Sequence, residues 1–487
     1  MRTKREEKLE AKLKSLQDAV KIIRKELHTC KQKNRDIEKS RESYKEKLKM
    51  QEATINQLQA ELKKNSDNLL SGLSIERHKY KDGVVRLCIS LVCGCGLGLR
   101  TAIKVLKLLN ELFHLGLEEL PCHNSIRGWI EKSGYFTYIQ SELKSSGTPY
   151  GGIIDESMQI GSEKLLLSLG VKADKTNDLP LRMNDVEVLD ISVERSWTGS
   201  LICDKLKEIG TSMGNAPVYV ISDNASIMNK GVRESSLIHL RDVGHTLAMF
   251  LERQYKDAPD FLSFMKELAK VKNREIMRPV AYLLPPKQRI IARFMNLTPC
   301  LQWAGKMLLH FDDLSKEEQQ IFKFLKNHRL LINELNEIVG VFNRISQSLK
   351  EKGLSHESVK VSVQELQPLT VSSFPRISQA AKECRSYLQE EAKKLSTEKS
   401  VWHISSDIIE SIFGVYKERK SPNPLNGVTP YVLMLPLLTK SNPESGCFRV
   451  DFKNALESVF LRDIEKWEQD NLSENLVVKR RNKLIAA

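Results

Sequence analysis

The sequence predicts a mixed α/β protein: a sheet-containing core split by an all-α insertion domain, preceded by a coiled coil and a compact helical domain. Three observations carry this expectation. Short apolar runs bounded by turn residues recur between Gly151 and His245 with helical spacing among them; helical periodicity fills residues 249–400; and an unbroken heptad pattern opens the chain.

The opening pattern is the most regular. From Leu9 to Leu62 a spacing of four and three runs through Leu9, Leu13, Leu16, Val20, Ile23, Leu27, Cys30, Asn34, Ile37, Arg41, Tyr44, Leu48, Gln51, Ile55, Leu58 and Leu62. This predicts a coiled coil over residues 1–68, with KKNSDN at 63–68 as the break after it. Asn34, Arg41 and Gln51 occupy seam positions, where polar residues fix register and partner number at a cost in stability. A lone helix would leave this seam in water, so self-association is expected, most simply as a parallel dimer. The other outcome is a helix folded back on its own chain.

Residues 69–145 form a second helical unit. An apolar helix leads into a turn at Gly94, Gly96 and Gly98, then a helix from about Arg100 to Phe113, then a short helix opening near Asn124. That last helix carries Arg127, Trp129 and Lys132 beside apolar Ile126 and Ile130, a helix-turn-helix pattern with a candidate groove-reading helix. The plainer reading is an ordinary three-helix domain.

The core, residues 146–248 with 401–440, is predicted from two aspartates at the ends of apolar strands. GGIIDES delivers Asp155 and PVYVISDNAS delivers Asp223. A buried carboxylate is costly unless paired or bound to a metal, and two side by side raise each other's pKa unless a cation lies between them. The pair therefore points to a divalent metal site. SSDIIESIFGVYK supplies a third carboxylate, Glu410, with Asp407 on the same helix face as a rival. Glu156 should point to the opposite strand face.

Further strands are expected at Leu165–Val171 and Val186–Val193. A helix follows with Leu201, Ile202, Leu206 and Ile209 on one face, capped by Thr198 and stopped by Gly210. LIHLRDVGH then reads as a fifth strand running into a helix near Thr246. The insertion, residues 249–400, is too long for a loop and carries Ile321, Phe322, Phe324, Leu325, Leu330, Leu331, Leu335, Ile338, Val339, Val341, Phe342 and Ile345 at helical spacing. Its cations Arg274, Arg278, Lys287, Arg289 and Arg293 would line a polyanion or simply face solvent. Ser405 or Ser406 should cap the Glu410 helix, and Lys417 lies two turns beyond Glu410 on nearly the same face. Residues 441–487 should hold an amphipathic helix from Asp451 to Trp467 and a KRRNK tail.

A net charge of +14 points toward a polyanionic partner. The nine cysteines lack paired spacing, and Cys93 with Cys95 lacks the spaced partners of a zinc site. No apolar run approaches the roughly 20 residues that cross a bilayer, and the basic and acidic N-terminus has no secretory signal, so a cytoplasmic location without membrane attachment is expected.

The predicted order, three strands, a helix, a strand, a helix and a strand, is that of an RNase H-like core. With Asp155, Asp223 and Glu410 so placed, the chain resembles a DDE transposase of a bacterial insertion sequence. DVGH, Asp242 to His245, is similar to a C/D-x-x-H element of several transposase groups. Glu410 with Lys417 fits half of a signature of one subgroup, whose Tyr and Arg are replaced here by His403 and Ser406. The resemblance implies that Asp155, Asp223 and Glu410 bind two Mg2+ ions, with Mn2+ as a substitute, about 3.5–4 Å apart. It implies metal-dependent strand cleavage at transposon ends and strand transfer into target DNA, with double-stranded DNA as partner, in a homodimer or higher oligomer at the bacterial nucleoid. Asp242, His245 and Lys417 would support the site or touch DNA, and Arg127, Trp129 and Lys132 would bind DNA. Two other classes share the features: a catalytically inactive, transposase-derived DNA-binding protein, and an RNase H-like nuclease. A structural coiled-coil protein is a third.

Overall fold

A computed structural model of the chain describes residues 4–70, 72–157, 160–287, 293–442 and 446–485. It forms two compact units, Met1–Gly72 with Lys107–Glu119, and Leu73–Leu106 with Leu120–Ala487. In the first unit α1, Lys4–Leu70, is a single helix of 67 residues, about 100 Å long at 1.5 Å per residue. The expected break at 63–68 does not occur. Asn, Ser and Asp cost a helix only some tenths of a kcal/mol each, and neither Gly nor Pro appears before Gly72. The seam is exposed, from 47% at Val20 to 70% at Tyr44.

The second unit is built on a five-stranded mixed sheet of β1 (Tyr150–Glu156), β2 (Lys164–Lys172), β3 (Glu187–Glu194), β4 (Val220–Ser222) and β5 (His239–Arg241). The order is β3-β2-β1-β4-β5. β1, β2 and β3 form an antiparallel meander, and β4 and β5 run parallel to β1. β2 is buried along seven consecutive positions, Leu165 to Val171, the continuous apolar run of a strand covered on both faces. Parallel neighbours require crossovers, and α6 (Gly199–Met213) and α7 (Ser226–Glu234) supply them before and after β4. Both pack on the sheet through Ile202, Leu206, Met228 and Val232 against Ile154, Leu166 and Val220. Gly231 permits their close approach, because a Cβ there would lie 2.6 Å from Ile202 Cγ2 and 2.9 Å from the Gly199 carbonyl.

Helix ends differ from expectation in three places. α6 runs through Gly210 to Met213, and the stop is Gly214 at φ 79°; an interior Gly costs about 1 kcal/mol, while the left-handed cap position favours it. α8 (Val243–Tyr255) starts three residues before Thr246 because Asp242 is its cap. The expected helix over 451–467 is two, broken at Val459 and Phe460, namely Phe452–Ser458 and Leu461–Asn471.

Between α8 and the Glu410 helix, the described part of residues 259–392 is mainly helical: α9 (Pro259–Glu275), α10 (Leu297–Leu309), α11 (Lys316–Phe322), α12 (Phe324–Asn327), α13 (Arg329–Lys352), α14 (His356–Thr370) and α15 (Pro375–Ala392), joined by short 3-10 turns and loops. One ionic cluster ties these helices to α8. Arg376 bonds Asp260 at 2.8–2.9 Å and the buried Glu334 at 2.7–3.0 Å, and Tyr255 donates to Glu334 at 2.9 Å. Among the basic residues expected to line a polyanion, Arg274 and Arg278 both pair with buried Glu275. Lys287 is exposed. Arg289 and the side chain of Arg293 lie outside the described residues. α16 (Asp407–Arg419) follows and packs on β1.

Before the sheet come α2 (Asp82–Ile89), α3 (Leu99–Phe113), α4 (His123–Ile139) and α5 (Glu142–Ser146); after α16 come α17 (Met434–Leu438), α18 (Phe452–Ser458), α19 (Leu461–Asn471) and α20 (Leu476–Ile485). α4 spans 17 residues instead of one short helix, and α2, α17, α18, α19 and the turn Pro430–Leu433 surround it. Trp129 is accordingly a core residue, edge-on to Tyr80 at 5.5 Å. Arg127 bonds Glu131 at 2.7 Å, and burial lowers the pKa of Lys132. Among the described residues no helix is long and apolar enough to cross a membrane.

Gly134 marks the tightest point of this packing, since a Cβ there would stand 1.8 Å from the Leu433 carbonyl oxygen. Gly128, on the same helix, has nothing within 4 Å of that position. Urea unfolding should show Gly134→Ala destabilising the protein by about 1–3 kcal/mol through overpacking, and Gly128→Ala stabilising it by roughly 0.5–1 kcal/mol. Equal effects of the two would contradict this packing.

Candidate active site

Two of the expected acids meet because of strand register. Gly152 pairs with Val220 and Ile153 with Ile221 across parallel β1 and β4. Two residues further on, the same register sets Asp155 level with Asp223. Glu156 turns away and bonds Lys164 at 2.7 Å. Asp223 accepts from the Ala225 amide at 3.0 Å, which shapes the loop into α7. Its neighbour Asn224 donates to Thr246 Oγ1 at 2.8 Å, joining the end of β4 to the first turn of α8.

The third acid arrives through a clasp between two helix starts. Asp242 is fully buried. Its Oδ1 accepts from the His245 amide at 2.7 Å, and its Oδ2 accepts from the Ser406 amide at 2.7 Å and hydroxyl at 3.1 Å. The Val243 amide also donates to the Ile404 carbonyl at 3.0 Å. One carboxylate thus satisfies otherwise unpaired amides at the N-termini of both α8 and α16. Ser406 is therefore bound to Asp242, and Ser405 accepts from the Asp407 amide at 3.3 Å. With the two starts joined, His245 Nε2 lies 3.1 Å from Glu410 Oε1. Asp407 is engaged elsewhere, in an ion pair with Lys350 from the end of α13, so Glu410 is the acid of this helix that faces the aspartates.

The electrostatics show that these groups act on one another. Burial first, then the charge of Asp223, pushes the Asp155 carboxyl up to about 8, with Glu410 adding to the rise and His245 opposing it. Burial works to lower the pKa of His245, but its hydrogen bond to Glu410 and the charges of Asp242, Glu410 and Asp223 raise it to about 9. The same hydrogen bond holds Glu410 below the usual carboxylate range. Lys417 is lowered by burial and drawn upward by Asp155 and Glu410, and its ammonium sits 5.3 Å over the Phe413 ring. Between Glu410 and Lys417, one turn from each, Gly414 has nothing within 4 Å of a would-be Cβ. This flank of α16 is bare between an acid and a cation.

Among the described residues, no three His, Cys, Asp or Glu side chains are gathered closely enough to cage an ion as they stand. The donor set still suits a hard divalent cation: carboxylate oxygens only, one held largely neutral by burial and by its neighbour's negative charge, the condition a cation relieves. Asp155, Asp223 and Glu410 are the residues that would hold it. No protein-family model matches the chain, and neither does any curated protein.

The structure brings together Asp155, Asp223, Asp242, His245, Glu410 and Lys417, and leaves Arg127, Trp129 and Lys132 in the α4 packing. It adds Lys350, and it gives Ser406 and Thr246, read from the sequence only as helix-start residues, partners in Asp242 and Asn224 that spacing does not reveal. Because the folded pKa of His245 lies above the unfolded 6.5, the stability it contributes is fully present below pH 6.5 and is lost as pH rises through about 9. An NMR titration of the His245 ring should give a midpoint near 9 that falls toward 6.5 in Glu410→Gln. An unchanged midpoint would show that the pair does not form.

Proposed function

We propose that the second unit is an RNase H-like catalytic core interrupted by a helical insertion, and that the protein is a DDE transposase. In this reading it cleaves DNA at transposon ends and joins the 3'-hydroxyl to target DNA. The observation that carries it is the convergence of Asp155 and Asp223, level on adjacent parallel strands, with Glu410 brought over them by a helix more than 150 residues away. The strand order β3-β2-β1-β4-β5, three antiparallel and two parallel to the first, supports the fold assignment.

Mg2+ bound by the three carboxylates would supply Lewis-acid stabilisation of charge on the phosphate oxygens and lower the pKa of an attacking water or hydroxyl. The remaining work belongs to the chain. Asp155 and Asp223 fix two donors on rigid strand ends, and Asp242 anchors the helix that carries the third. His245 holds a proton at Nε2 against Glu410, keeping that carboxylate ionised and oriented. Lys417, across the bare turn at Gly414, would contact a DNA phosphate. The net charge of +14 supplies the attraction for a polyanion that such contacts need.

A strand-cleavage assay on double-stranded DNA with Mg2+ or Mn2+ tests this. Asp155→Ala, Asp223→Ala and Glu410→Gln should each lower cleavage by about a thousandfold or more, while Lys417→Ala should weaken DNA binding with a shallower salt dependence. Calorimetry should show Mn2+ uptake by the parent that Asp155→Ala loses. Cleavage undiminished in Glu410→Gln would remove that residue from the site. Cutting of RNA–DNA hybrids with no strand transfer would assign a nuclease instead.

A further inference from the structure

The exposed seam of α1 requires an occupant, and the residues flanking it specify which. In the heptad register Leu13, Val20, Leu27, Asn34, Arg41, Leu48 and Ile55 are at a, and Leu9, Leu16, Ile23, Cys30, Ile37, Tyr44, Gln51 and Leu58 are at d. The apolar members from Leu9 to Leu58 are all about half exposed or more. The charged flanking residues are then Lys12, Glu26, Lys33 and Lys47 at g, and Glu10, Arg24, Lys31, Glu38, Lys45 and Glu52 at e.

A parallel, in-register partner of the same sequence sets each g residue against the e residue five places later in the other copy. The charged pairs are Glu26 with Lys31, Lys33 with Glu38, and Lys47 with Glu52, all of opposite sign, with no like-charged pair from Lys12 to Thr54. The antiparallel arrangement that matches a with d layers over the full length sets Glu26 against Lys47 and Lys31 against Glu38, which attract, but Arg24 against Lys45, which repel. It places Asn34 opposite Ile37, Arg41 opposite Cys30 and Gln51 opposite Val20, so each polar seam residue faces an apolar one. In the parallel arrangement Asn34 meets Asn34 and Gln51 meets Gln51, and their amides can bond each other. Arg41 facing its own copy is the cost, eased because its long stem can carry the charge outward.

We infer that the occupant is a second copy of this chain, paired in parallel and in register along α1. Residue 73 of both copies then leaves the coil at the same end, whereas an antiparallel pair would send the two departures to opposite ends of a helix about 100 Å long. Cys30, a free and exposed thiol, faces its counterpart in a d layer. In the antiparallel alternative the two Cys30 thiols are offset by about eleven residues, roughly 16 Å. The inference stands on the seam alone and is independent of whether the second unit cuts DNA.

Sedimentation equilibrium of the full chain at micromolar concentration should give the mass of two copies. A short bis-maleimide, adding one thiol at each end, should link the copies, and Cys30→Ala should abolish the link. The triple variant Glu26→Lys/Lys33→Glu/Lys47→Glu makes all three parallel pairs repulsive but leaves the antiparallel charge balance as it was, because Glu26 and Lys47 face each other there and exchange signs together while Lys33 faces Ser40. It should weaken self-association by tenfold or more, with helicity at 222 nm confirming that the second unit stays folded. Mixing it with Lys31→Glu/Glu38→Lys/Glu52→Lys should restore a two-copy species. A one-copy mass for the parent, or a triple variant that pairs as tightly as the parent, would overturn the inference.

Discussion

Everything at the acidic end of the sheet depends on the buried carboxylate of Asp242. It receives hydrogen bonds from two backbone amides and a hydroxyl, and the amides belong to the starts of two helices 164 residues apart in the chain. A carboxylate out of water is costly unless its lone pairs are taken, and one placed at two helix N-termini also lies at the positive ends of two helix dipoles. Burial raises its pKa while His245 and the amide donors lower it, so the surroundings oppose the cost of the charge. Removing this group would leave amides of both helices unpaired and weaken the junction that sets Glu410 over β1 and β4, where the Val243 amide also bonds the Ile404 carbonyl.

The helical segment between α8 and α16 works on the same junction from the other side. β5 is the edge strand of the sheet, and an uncovered edge invites pairing with another chain. Here α15 lies along it. Arg241 reaches Glu390 and Glu391 at 2.9 and 2.8 Å, Tyr387 donates to the Arg241 carbonyl at 2.8 Å, and Lys394 donates to the His239 carbonyl at 2.6 Å. From α13, Lys350 holds Asp407, and just past the helix Leu354 pairs with Trp402 through two backbone hydrogen bonds of 2.7 and 3.0 Å. Trp402 in turn stacks on Tyr219 at 4.8 Å, immediately before β4. The segment is therefore a scaffold that helps fix the approach of α16.

This arrangement gives the pKa shifts a common cause. Strand register, which backbone hydrogen bonds hold independently of side-chain charge, keeps Asp155 near Asp223, and burial first, then the Asp223 charge, raises the Asp155 carboxyl. His245 and Glu410 are held by helix placement and relieve part of the same field. A site in which burial and a neighbouring acid push the Asp155 carboxyl up to about 8 differs from a surface cluster of acids, where solvent would screen each charge and permit the side chains to separate.

What the residues determined by themselves follows from local rules. The heptads dictate α1, the apolar runs place all five strands, the second and third to within a residue and the last two longer than they are, and Asp155, Asp223 and Glu410 stand out because ionisable groups at the ends of core elements need a reason. Ends misread were those where a long-range partner or a later glycine outweighed the nearest signal, as at Gly210 and at Asp242. Packing assigned the rest. α4 carries a basic and aromatic face that suits a groove, yet Gly134 against the Leu433 carbonyl and Trp129 against Tyr80 commit it to the interior. Asp407 and Glu410 are equivalent by spacing, and only Lys350 and His245, each contributed by a distant helix, separate their roles. Local periodicity tells which face of an element is apolar; which side chain meets which across tens or hundreds of residues is settled by how the elements pack, as with Asp242 and Ser406.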